Sequence, residues 1–62
     1  MSPEQQKIVV SVIVNGRMPY AARHDDKRQC VLNSWVVGVR GRLGVYEATA
    51  DGRKALAHAI PQ

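Results

Sequence analysis

The chain has 62 residues, of which 45% are apolar and 23% charged, with a single cysteine and a net charge of +4. A chain this short reads as one domain that buries only about 60% of the surface it exposes when unfolded, so its core is small. One cysteine excludes an internal disulfide, the polar start Met1–Lys7 is unlike a secretory leader, and the apolar run Ile8–Val14 falls well short of a membrane span. The expectation is a soluble cytoplasmic protein in which Cys30 is a small buried apolar residue.

The position of the charge says more than its size. Residues 1–16 and 43–62 each balance, and the whole excess lies between them, where Arg17, Arg23, Lys27, Arg28, Arg40 and Arg42 stand against Asp25 and Asp26. A basic centre of this kind suits an anionic partner, and the plainer reading is a solvated surface that keeps a small protein soluble.

In chain order, Ser2-Pro3-Glu4-Gln5 specifies a helix start: an N-cap hydroxyl, proline at the first helical position, glutamate in the first turn and glutamine at the capping-box position. The next segment pulls the other way. Ile8-Val9-Val10-Ser11-Val12-Ile13-Val14 is almost wholly β-branched, which favours strand, and Asn15-Gly16 is a favoured hairpin turn. Helix is preferred because Asn15-Gly16 serves equally as a helix C-cap and because Pro19 would spoil a partner strand. On a helix, Ile8, Val9, Val12 and Ile13 share one stripe while Val10 and Val14 spill onto the next face. That apolar excess points to a homodimer through the Ile8–Val14 segment, or else to a deeply buried helix.

Met18-Pro19-Tyr20-Ala21-Ala22-Arg23 reads as a short turn or helix. His24-Asp25-Asp26 offers caps for a helix to about Asn33, with Lys27 and Arg28 in its first turn and Cys30, Val31 and Leu32 on its inner side. Cations at that end oppose the helix dipole, a cost offset if an anion sits on the helix N-terminus. Trp35-Val36-Val37-Gly38-Val39 and Val45-Tyr46-Glu47-Ala48 are strand candidates, and the glycine-containing link Arg40-Gly41-Arg42-Leu43-Gly44 makes them a β-hairpin with a basic tip. Trp35 reads as the largest core residue. Thr49 is placed to cap a last helix, with Asp51 in its first turn, apolar spacing at Ala55, Leu56, Ala59 and Ile60, and His58 favourably placed at its C-terminal end.

The order of strand, basic tip, strand and capped helix resembles the wing and following helix of winged helix-turn-helix domains, including the MarR-like and PadR-like groups. The resemblance rests on Tyr46-Glu47-Ala48-Thr49-Ala50-Asp51-Gly52-Arg53 with Leu56, close to the family's wing-exit pattern. Upstream, Leu32-Asn33-Ser34-Trp35-Val36 corresponds to the end of the recognition helix and the start of the wing. Ala48 stands where the family usually has Leu, and Trp35 where it often has Gly. The family begins with a helix, which agrees with the preferred reading of residues 8–14.

The resemblance implies an α+β minimal winged helix with three helices, one of them short, and a two-stranded hairpin wing: helix at about 3–14, a short turn or helix at 19–23, helix at 26–34, wing at 35–48 and helix at 50–60. It also implies a transcriptional regulator that binds duplex DNA, with the helix from Asp26 in the major groove and the Arg40–Arg42 tip on the flanking backbone or minor groove. The candidate DNA contacts are Arg17, Arg23, Lys27, Arg28, Asn33, Arg40 and Arg42. The alternative is a protein-binding module of the same fold, such as a small phage-type protein docking on an acidic surface of a host enzyme. Catalysis is not expected. His24 and His58 are too few for a metal-dependent phosphohydrolase, His24 and Cys30 lack an orienting third residue, and Gly38, Gly41 and Gly44 do not form a phosphate loop. No cofactor or metal is expected.

Overall fold

The computed structural model describes residues 1–59. Its elements are α1 (Pro3–Asn15), α2 (His24–Leu32), β1 (Val36–Gly38), β2 (Tyr46–Ala48) and α3 (Ala50–Ala59). The fold is therefore α+β, three helices with a two-stranded antiparallel hairpin, as the sequence indicates.

The strand-or-helix conflict in residues 8–14 resolves to helix. Ser2 accepts a hydrogen bond from the Gln5 amide at 3.2 Å and Gln5 Oε1 accepts one from the Ser2 amide at 2.9 Å, so the capping box is complete. At the other end Gly16 takes the left-handed conformation, φ 72°, and its amide closes on the Val12 carbonyl at 2.9 Å. β-Branched residues lower helix propensity by only a few tenths of a kcal/mol each, and burial overrides that. α1 packs against α2, β2 and α3. It supplies three of the six residues of the buried cluster, Ile8, Val9 and Val12, which close on Cys30, Val36 and Leu56. The expected stripe is corrected at one position: Ile13 lies with the exposed residues Val10 and Val14 and is itself exposed.

Residues 19–23 form a turn, closed by the Ala22 amide on the Pro19 carbonyl at 3.2 Å, with no helix. α2 begins two residues earlier than expected. Arg23 is its N-cap and gives no side-chain hydrogen bond, so Asp25 and Asp26 lie in the first turn instead of capping it. Carboxylates stabilise a helix N-terminus from either position through the dipole, which is why composition alone does not separate the two. Lys27 and Arg28 consequently lie beyond that first turn, and the dipole penalty expected for them does not arise.

α2 also ends earlier, at Leu32. Ser34 adopts φ 59°, its amide reaches the Val31 carbonyl at 3.0 Å, and the Trp35 amide reaches the Cys30 carbonyl at 3.0 Å. This is a Schellman ending with serine where glycine is usual. The chain turns directly from it into β1. Trp35 is half-buried and packs against the cluster, so it is not the largest core residue that the sequence suggests.

In the hairpin Val36 faces Ala48, Val37 faces Glu47 and Gly38 faces Tyr46. Alternation sends Val36, Tyr46 and Ala48 toward the core and leaves Val37 and Glu47 exposed. The outer edge of β2 is also occupied, because the Tyr46 amide donates to the Gly16 carbonyl at 2.6 Å. α3 is capped as expected: Thr49 Oγ1 accepts from the Gly52 amide at 2.9 Å. The same hydroxyl lies within hydrogen-bond reach of the Ser34 and Trp35 carbonyls, so one side chain ties the end of α2, the start of β1 and the start of α3. Leu56 is buried on α3, Ala55 and Ala59 are half-buried, and Ile60 lies outside the described residues.

Candidate nucleic-acid interface

The hairpin tip is built from two successive reverse turns. In Val39-Arg40-Gly41-Arg42 the Arg42 amide closes on the Val39 carbonyl at 3.1 Å, and in Arg42-Leu43-Gly44-Val45 the Val45 amide closes on the Arg42 carbonyl at 3.3 Å. The third residue of each turn is glycine, Gly41 at φ 80° and Gly44 at φ 75°, a backbone that other L residues adopt only with strain. The sequence thus holds Arg40, Arg42 and Leu43 exposed at the tip.

Below the tip a groove runs between the outward side of α2 and β2. Met18, His24, Lys27, Arg28, Val31, Leu32 and Tyr46 line one part of it. Arg17, Met18, Tyr20, Lys27, Gly44 and Tyr46 line the adjoining part, and Gly44 leads on to the tip. The Arg17 guanidinium lies beside Gly44, 3.6 Å from where a Cβ would stand. Three of the expected cations, Arg17, Lys27 and Arg28, therefore line one groove, and Gly44, which lines it too, belongs to the loop that carries Arg40 and Arg42. Lys27 is half-buried, and its Nζ reaches the Tyr20 carbonyl at 3.5 Å, so it also holds the 19–23 turn against α2.

The other two candidates lie elsewhere. Arg23 lines a separate hollow with Glu4 and Lys7, between α1 and the turn. Asn33 is the exposed C-cap residue of α2. The expected anion seat at the α2 N-terminus is also corrected: His24, Asp25 and Asp26 form the first turn there, and two carboxylates repel a phosphate. The positive surface of α2 is its flank, not its end.

Sequence reasoning missed the apolar part of this groove. Val31 and Leu32, assigned to the inner side of α2, are 47% and 63% exposed and line the groove with Arg28. Their neighbour Cys30 alone of that set is buried, and the helical rotation of about 100° per residue makes this unavoidable. Burial pushes the Cys30 thiol above its ordinary pKa, and the nearby Asp26 charge adds to the rise, so the group stays a protonated thiol. A protonated thiol facing away from the groove has no nucleophilic role there. Tyr46 is legible in the sequence as a strand residue that opens the wing-exit pattern; its place with Arg17 and Lys27 in the groove depends on the fold of distant segments.

Among the described residues no three His, Cys, Asp or Glu side chains gather as metal ligands, and no helix is long and apolar enough to cross a membrane. Compared with protein-family models, curated proteins and solved structures, the chain matches none.

Proposed function

We propose that this protein is a DNA-binding regulator of transcription, working in the cytoplasm, that lays the flank of α2 in the major groove and its hairpin tip on the flanking backbone or minor groove. The observation that carries the reading is the set of cations Arg28, Lys27 and Arg17 along one groove, to which Gly44 of the tip loop also belongs, with Arg40 and Arg42 exposed in that same loop.

Binding duplex DNA with a shift that weakens as salt rises tests the reading. Arg42→Ala removes one phosphate contact: affinity falls alike on all sequences, and the slope of log affinity against log salt loses about one unit. Arg28→Ala, on the groove-facing flank, costs about 1–3 kcal/mol on a preferred site and narrows the gap between sites. No shift at low salt would overturn DNA binding and favour an acidic protein partner. The exposed Val31 and Leu32 beside Arg28 give that alternative its footing.

The reading includes a second copy of the chain. Val10, Ile13 and Val14 are 42%, 36% and 72% exposed at helical spacing on α1, an apolar face that a twofold partner would cover. Sedimentation at tens of micromolar, roughly the range in which weak dimers form, should find a dimer that Val14→Asp dissociates. A wild-type monomer there removes the second copy from the proposal.

A further inference from the structure

We propose that Leu43 is a wedge that enters the minor groove of duplex DNA, opens a base step and kinks the helix. The inference rests on the DNA-binding reading and adds to it a deformation of the bound DNA.

Leu43 is 101% exposed, the most exposed large apolar side chain among the described residues. It occupies the second position of the second reverse turn, whose ends are joined by the Val45 amide and the Arg42 carbonyl, and whose third residue is Gly44 in the left-handed region. A branched apolar side chain is thus carried fully exposed on a backbone fixed by two hydrogen-bonded turns. Arg42 precedes it and Arg40 lies one turn back, both exposed.

The chemistry of these three side chains selects the partner. Two guanidiniums favour a channel walled by phosphates, and the minor groove, about 6 Å wide, admits a narrow hairpin tip but not a helix. An apolar side chain beside basic ones is what minor-groove architectural proteins insert at a base step, where leucine replaces lost base stacking with its own contact. Flexible pyrimidine–purine steps open most readily. A single leucine flanked by arginine and glycine offers too little apolar area to anchor a protein interface or a lipid surface.

The test uses the full chain and a duplex of about 30 base pairs that carries one central TA step with 2-aminopurine in place of its adenine and a fluorophore at each end. Anisotropy measures binding, energy transfer between the ends measures bending, and 2-aminopurine emission measures unstacking. Wild type is expected to bind, to bend the duplex by an angle within the range of about 20–90°, and to raise the emission. Leu43→Ala is expected to melt as wild type does and to keep the salt slope, because no charge is lost, while bend and emission both collapse. Leu43→Met should restore them. Binding by wild type without bend or unstacking overturns the wedge and leaves the DNA reading standing; so does a Leu43→Ala protein that bends as well as wild type. Absence of wild-type binding in the anisotropy channel overturns both.

Discussion

The two ends of the hairpin are built on opposite principles. At the base, the start of α3 is pressed onto the backbone of residue 35: a Cβ at Gly52 would overlap the Trp35 carbonyl oxygen and stand 2.8 Å from its carbon. At the tip, a Cβ at Gly41 would meet nothing within 4 Å. Both glycines are obligatory in their own way, Gly52 for space in an ordinary helical backbone and Gly41 for its left-handed φ. At Gly52 the base is specified by close contact, and at Gly41 the tip is specified by backbone conformation. The residues free to face a partner are correspondingly at the tip and along the groove, and those that hold the fold are at the base.

Substitutions sharpen this contrast, and the largest effect belongs to Gly52. Gly52→Ala places a methyl group inside the Trp35 peptide, which is backbone and cannot swing aside, so α3 must lift from the hairpin. The expected loss is on the order of 3 kcal/mol, comparable to the whole stability of a domain of this size. Cys30 gives the readout. In the folded wild type its thiol is buried and protonated, and thiol-reactive dye at neutral pH should label it slowly; in Gly52→Ala it should label at nearly the rate of the urea-unfolded chain. Slow labelling and an unchanged melt would mean that α3 does not sit against residue 35.

Thr49→Ala comes next. It removes the hydrogen bond accepted from the Gly52 amide and the hydroxyl's tie to the carbonyls at the end of α2, at a cost of about 1–2 kcal/mol. In a domain this small, thermal melting should fall by roughly 4–8 °C per kcal/mol. The smallest effect belongs to the tip, where Arg42→Ala should move stability by no more than about 0.5 kcal/mol while weakening DNA binding. A tip substitution that unfolded the protein would erase the distinction between the two ends.

Much of the fold is legible in the sequence because it is local. Ser2 and Gln5, Gly16, the glycines of the tip and the Thr49 cap each act through backbone groups within a few residues. The misreadings arise where the deciding atom is far along the chain or where two local signals coincide. Asp25 and Asp26 suit a cap and a first turn equally, so sequence alone starts α2 too late. Ser34 in the left-handed region carries no mark that distinguishes it from a helical serine, so sequence alone ends the helix too late as well. Gly52 stands out only as part of a family pattern; that it admits the Trp35 carbonyl depends on how α3 folds back on the hairpin. The candidate site divides in the same way. Arg40 and Arg42 are legible as a basic tip, whereas the meeting of Arg17 with Gly44, and of Tyr46 with Lys27, depends on the packing of α1 and α2 against the hairpin.

The hydrogen bond from the Tyr46 amide to the Gly16 carbonyl makes β2 the middle of three strands in effect, the third being a single residue. β2 is therefore held on one side by β1 and on the other by the residue that caps α1, which ties the hairpin to α1 as well as to α2. Any partner that touches both α2 and the tip meets them at a spacing already set, so the entropy of arranging them is lost on folding and not again on association.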